Sequence, residues 1–75
     1  MPWTARELRT ALLRAGFAEL RQRGSHLRLQ RIEPDGRRSL VTLPMHSGDV
    51  PPGTLRAILR EAGLTEAELR GLLGP

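Results

Sequence analysis

The chain has 75 residues and no cysteine, is 27% charged and 39% hydrophobic, and carries a formal net charge of +4. That length allows one domain, residues 1–75, with a small core; it leaves no disulfide framework or thiolate metal site, and no apolar stretch is long enough to span a bilayer. All the basic side chains are arginines, whose planar, permanently charged donor forks suit phosphate; the charge by itself fits equally a nucleic-acid partner and a solvated surface biased toward arginine.

Met1-Pro2-Trp3-Thr4 lacks the apolar run of a secretory signal, and a cytoplasmic protein without a membrane anchor is expected. The first helix is signposted by Thr4 and Glu7 as a capping box, with Trp3 and Leu8 in the positions of a hydrophobic staple. Leu8, Ala11, Leu12 and Ala15 form its apolar stripe, Arg6, Arg9 and Arg14 fall outside it, and Gly16 ends it. Phe17–Arg23, Gly24-Ser25 and His26–Ile32 read as a β-hairpin whose two-residue loop, glycine first, suits a type II′ turn. That loop pairs Arg23 with His26, Gln22 with Leu27, Arg21 with Arg28, Leu20 with Leu29 and Glu19 with Gln30. Alternation then puts Leu20, Leu27 and Leu29 on one face, and Glu19, Arg21, Arg23, His26, Arg28 and Gln30 on the other.

Pro34-Asp35-Gly36 is a turn, Ser39–Pro44 a third strand with Val41 and Leu43 in phase, and Met45–Pro51 a loop carrying His46. Pro52 suits a first helical position; Leu55, Ile58, Leu59 and Ala62 make the second helical stripe, and Gly63 stops it. Thr65 and Glu68 form another capping box before a short helix with Leu69, Leu72 and Leu73. The fold class is therefore α+β: a three-stranded antiparallel meander in α-β-β-β-α order, with helices on one face, a short C-terminal helix, and the His26 face in water.

Several chemistries lack their residues. No His or acidic cluster has metal-ligand spacing, no glycine-rich phosphate loop or dinucleotide fingerprint is present, and Ser25 beside His26 has no evident acidic orienter. No cofactor is expected. What remains is an imidazole, able to move protons near neutral pH, among arginines able to stabilise a phosphorane-like charge. RNA supplies its own nucleophile, the 2′-hydroxyl, so an acid–base group and anion stabilisers suffice. A lone strand histidine is more often a plain surface residue, and a loop residue such as His46 can simply pack or cap. Ser25 is first a turn residue, with a hydroxyl that could touch phosphate. The Arg21/Arg28 pair is harder to read as structural, because like charges opposed on a sheet destabilise it. It calls for an anionic partner or a screening neighbour such as Glu19. Leu13 and Leu40 are either partner contacts or scattered surface residues.

Gly16-Phe17, then Gly24-Ser25-His26, then Leu43-Pro44-Met45-His46, then the run Pro52-Gly53-Thr54-Leu55 through Ile58-Leu59 to Ala62-Gly63-Leu64-Thr65 occur in an order that resembles the HicA (YcfA-like) toxin family over nearly the whole chain. The resemblance implies a double-stranded-RNA-binding-like α-β-β-β-α fold and an mRNA interferase, the toxin of a type II toxin–antitoxin pair inhibited by a HicB-type antitoxin. It implies that His26, of the Gly-Ser-His motif, is the catalytic histidine. With it, Arg21, Arg23, Arg28 and Ser25 are the expected RNA contacts and His46 a second proton-transfer group. The free toxin is expected to be a monomer. The rival readings are a non-catalytic RNA-binding module and a protein-interaction module with the same fold; DNA repression lacks the short turn of a helix-turn-helix.

Overall fold

The computed structural model describes residues 3–74. Its elements in chain order are α1 (Ala5–Arg14), β1 (Ala18–Arg23), β2 (His26–Ile32), β3 (Arg38–Pro44), α2 (Pro52–Ala62) and α3 (Glu66–Leu73). The strands form one antiparallel sheet in the order β1-β2-β3. This is the expected α+β meander, with β3 beginning one residue earlier, and β1 one residue later, than alternation alone suggested.

Both capping boxes close. The Thr4 N–H donates to Glu7 Oε1 at 2.9 Å and the Glu7 N–H to Thr4 Oγ1 at 3.1 Å. Thr65 and Glu68 repeat the pair at 2.9 and 3.1 Å. Each box satisfies two N–H groups that helix geometry leaves without partners. Trp3 and Leu8 are both buried, as a staple requires. The core joins Leu27 and Leu29 of β2 and Val41 and Leu43 of β3 to Leu8, Ala11 and Leu12 of α1, Ile58 and Ala62 of α2, and Leu69 of α3. All three helices therefore serve one face of the sheet.

The first strand departs from regular alternation. The pairs Arg23–His26, Gln22–Leu27 and Arg21–Arg28 stand as the turn dictates, but beyond them Glu19 pairs with Leu29 and Ala18 with Gln30. Leu20 is thus the extra residue of a β-bulge, and the expected pairs Leu20–Leu29 and Glu19–Gln30 do not form. Leu20 is 47% exposed instead of facing the core. Glu19 lies on the helix side, where its carboxylate meets the Arg9 guanidinium of α1 at 2.6 Å. The physical cause is Phe17. Uninterrupted alternation from Arg23 would put the chain's one phenylalanine in water. A single extra residue reverses the parity, and Phe17 becomes 3% exposed.

Arg31, at a helix-facing position of β2, ties the layers together. Its Nε donates to Glu33 Oε2 at 2.8 Å, Nη1 to the Ala15 carbonyl at 3.0 Å, and Nη2 to the Ala62 carbonyl at 3.3 Å. Its guanidinium carbon stands 4.7 Å from the Phe17 ring centre. The two carbonyls close the C-terminal ends of α1 and α2, where a cation opposes the negative ends of the helix dipoles. Replacing Arg31 by methionine keeps the apolar stem and removes the donors; urea denaturation is expected to show a loss of about 2 kcal/mol.

The Arg31 hydrogen bond, with a second from Ser39 Oγ at 2.8 Å, holds the Glu33 carboxyl below the usual glutamate range. A carboxyl lowered on folding adds stability that is complete above its unfolded pKa and is lost as pH falls through the folded one. Thermal melts from neutral pH into acid are therefore expected to show a shallower decline for Glu33→Gln than for the parent chain. Identical slopes below about pH 4.3, the ordinary glutamate value, would contradict this.

Candidate functional site

Gly24 opens the hairpin turn with φ of 57°, and no non-glycine residue among those described has positive φ. Ser25 is therefore on the negative side, the combination that defines the expected type II′ turn. The turn delivers His26 as the first residue of β2, opposite Arg23 on β1 and Pro44 on β3, with its side chain exposed. The Met45 N–H donates to the Ser25 carbonyl, folding the chain after β3 back against the turn. The loop's other end is fixed to the start of α1 by a bridge between Thr4 and Asp49 and by the Val50 N–H donating to the Trp3 carbonyl at 2.7 Å.

These two attachments set His46 beside His26. The two imidazoles line one cavity of about 240 Å³, together with Asp49 and with Thr54 from the first turn of α2. Pro51 caps that helix without a side-chain hydrogen bond, and its first turn holds no acidic residue. Its positive end faces the same cavity, where Asp49, two residues before the cap, is the acidic residue on the wall. The Asp49 carboxylate supplies the acidic group that the sequence did not reveal. His46 also borders a second cavity of about 410 Å³, which it shares with Arg6, Ser47 and Gly48. Ser25 lines neither cavity; its part in the geometry is the carbonyl that receives Met45.

The guanidinium groups gather further along the sheet's open face. Arg21 and Arg28 stand opposite each other as expected. With Arg38, Leu20 and Leu40 they line a cleft of about 290 Å³, and no carboxylate among the described residues lines it. Glu19, the candidate screening neighbour, is engaged with Arg9 on the far side of the sheet. Arg28 is half-buried, and its Nε is shielded from solvent without a hydrogen-bond partner. Arg23 remains exposed beside His26. The histidine cavity and the arginine cleft share no lining residue. They are joined along β2, where His26 and Arg28 sit two residues, or about 7 Å, apart on one face.

Three residues at these places escaped the sequence reading. Asp49 and Thr54 belong to a loop and a helix start that no periodicity connects to His26. Arg38 was legible in principle: it is in phase with Leu40 and Thr42, opposite to the core parity of Val41 and Leu43. Of the two leucines left open, Leu40 lines the arginine cleft and Leu13 is an exposed residue of α1.

Among the described residues no three His, Cys, Asp or Glu side chains are grouped as a metal site needs, and no helix is long and apolar enough to cross a membrane. The molecule is thus a small α+β domain with helices behind a meander, two histidines at one end of it and a carboxylate-free arginine cleft on its open face. The family model of the HicA toxin of bacterial toxin–antitoxin systems matches residues 5–64, most of the chain, and the chain belongs to that family. It is accordingly the toxin component of such a system, with an antitoxin as partner. Among curated proteins none matches the chain. The match ends just before α3, which nevertheless contributes Leu69 to the core and accepts a 2.8 Å hydrogen bond from Arg14 at the Leu72 carbonyl.

Proposed function

We propose that the toxin is an endoribonuclease that cuts mRNA through its own 2′-hydroxyl and so stops translation. The observation that carries this reading is the meeting of His26 and His46 in one cavity at the end of a basic sheet face, in a chain of the HicA family. His26 takes the proton of the 2′-hydroxyl as that oxygen attacks the neighbouring phosphorus. The bond from phosphorus to the 5′-oxygen breaks, and the departing oxygen takes a proton from His46. The products are a 2′,3′-cyclic phosphate and a 5′-hydroxyl. Two imidazoles in opposite protonation states accomplish the step, and the rate follows a bell-shaped pH profile. Arg23, with the positive end of α2 at Thr54, opposes the charge that builds on the phosphoryl oxygens. Asp49, on the wall of the same cavity, orients an imidazole once the substrate is seated, as a carboxylate does in other histidine sites. Ser25, Arg21 and Arg28 contact the flanking backbone, and a HicB-type antitoxin inhibits the toxin by covering this face. The protein works in the cytoplasm, as a monomer when free.

Incubating the purified protein with a defined single-stranded RNA is expected to give fragments ending in 2′,3′-cyclic phosphate. A single 2′-deoxy substitution at a cleaved nucleotide is expected to abolish cutting there and nowhere else. Cleavage that continues at the deoxy position would refute the mechanism, because the attacking oxygen would be absent.

A further inference from the structure

Leu20 is a large apolar side chain left 47% exposed on the same face as Arg21, Arg28 and Arg38. The bulge that buries Phe17 explains why Leu20 leaves the core, but not why three guanidinium groups converge on it. An opposed Arg21/Arg28 pair costs stability by itself. Arg38 from β3 adds a third positive charge to the same cleft, and no carboxylate among the described residues lines it. The Nε of Arg28 is held out of water with no hydrogen-bond partner among the described residues, a donor that folding leaves unsatisfied. A cluster so arranged is suited to an anion with several oxygens, and an apolar wall beside it suits a flat ring.

We propose that this cleft is a nucleotide subsite for single-stranded RNA: Arg21, Arg28 and Arg38 hold the phosphate next to the cut one, and Leu20 with Leu40 receives the base. The proposal rests on the reading of the chain as an RNA-cleaving toxin, and it adds Arg38, Leu20 and Leu40 to the residues that meet the substrate. Phosphate favours the bidentate guanidinium fork, and unpaired bases lie against apolar surface and guanidinium planes. The spacing agrees: His26 and Arg28 lie about 7 Å apart on one face of β2, close to one phosphate-to-phosphate step of an extended strand. An acidic protein surface would also meet the charges, but the exposed Leu20 beside them offers an apolar surface on which a base can lie.

The test measures binding of a fluorescent, 2′-O-methylated single-stranded RNA, which cannot supply the nucleophile, across a salt series. Arg38→Gln is expected to weaken binding about tenfold and to make the salt slope shallower by roughly 0.7, the value for one lost phosphate contact on a single strand. Leu20→Ser is expected to weaken binding at an unchanged slope. Both side chains lie on the open face, so thermal melts of the variants should match the parent. Parental RNA affinity in both variants overturns the subsite, and so does parental RNA affinity with weakened antitoxin binding, which would assign the cleft to the protein partner. Cleavage of unmodified RNA separates the two proposals. A parent chain that cuts RNA while both variants bind normally leaves the nuclease reading standing without the subsite. A parent chain that binds through Arg38 and cuts nothing leaves the subsite standing without the nuclease.

Discussion

Replacement of His26 by alanine is expected to lower RNA cleavage by about 10²- to 10⁴-fold, the usual contribution of a positioned acid–base group, and to remove growth arrest in cells. The fold should survive. His26 is exposed at the edge of the turn, its side chain makes no hydrogen bond among the described residues, and the backbone pairing with Arg23 and Pro44 does not depend on the imidazole. Thermal melting and antitoxin binding should therefore remain close to those of the parent chain. His46→Ala is expected to slow cleavage as well, and to flatten the limb of the pH profile that reports the proton donor. Asp49→Asn should change the rate without changing RNA affinity, since that carboxylate lines the histidine cavity away from the arginine cleft. A His26→Ala protein that cuts RNA at the parental rate would remove the mechanism at its base.

The second large effect belongs to Phe17. Phe17→Ala is expected to cost about 3–4 kcal/mol in urea denaturation, the range for truncating a buried aromatic side chain. Leu20→Ala, three residues along the same segment, should stay within about 0.5 kcal/mol, as exposed positions do. A domain of this size has a total stability of only some 4–11 kcal/mol, so the first variant approaches unfolding while the second is silent. The contrast measures the register directly. Equal losses at the two positions would mean that β1 pairs without its bulge and that Leu20 faces the core. The Phe17 result also reaches the site, because the bulge is what brings Leu20 out beside Arg21. A variant that loses the reason for the bulge is expected to lose RNA affinity along with stability.

The local signals in the chain were sufficient for its elements. Thr4 with Glu7 and Thr65 with Glu68 marked helix starts, because a capping box depends on side chains three residues apart and on nothing distant. The Gly24-Ser25 loop fixed the pairing of Arg23, Gln22 and Arg21, because a two-residue turn allows only one register near it. The parity of Val41 and Leu43 likewise identified the covered face of β3. The placement of His26 and of the Arg21/Arg28 pair on the open face followed from these facts alone.

The amino-acid sequence by itself determined the α-β-β-β-α order, the hairpin, and the family to which the chain belongs, since each is written in short-range spacing or in ordered motifs. Only the tertiary structure decided that Phe17 displaces Leu20 from the core. Two apolar residues of opposite parity competed for one buried side, and the outcome depended on the helix ends and Arg31 packed above them. It alone decided, too, that His46, Asp49 and Thr54 join His26. The hydrogen bond from Met45 to Ser25 and the bridge from Asp49 to Thr4 close loops between segments far apart in the chain, and no periodicity reports a contact of that kind.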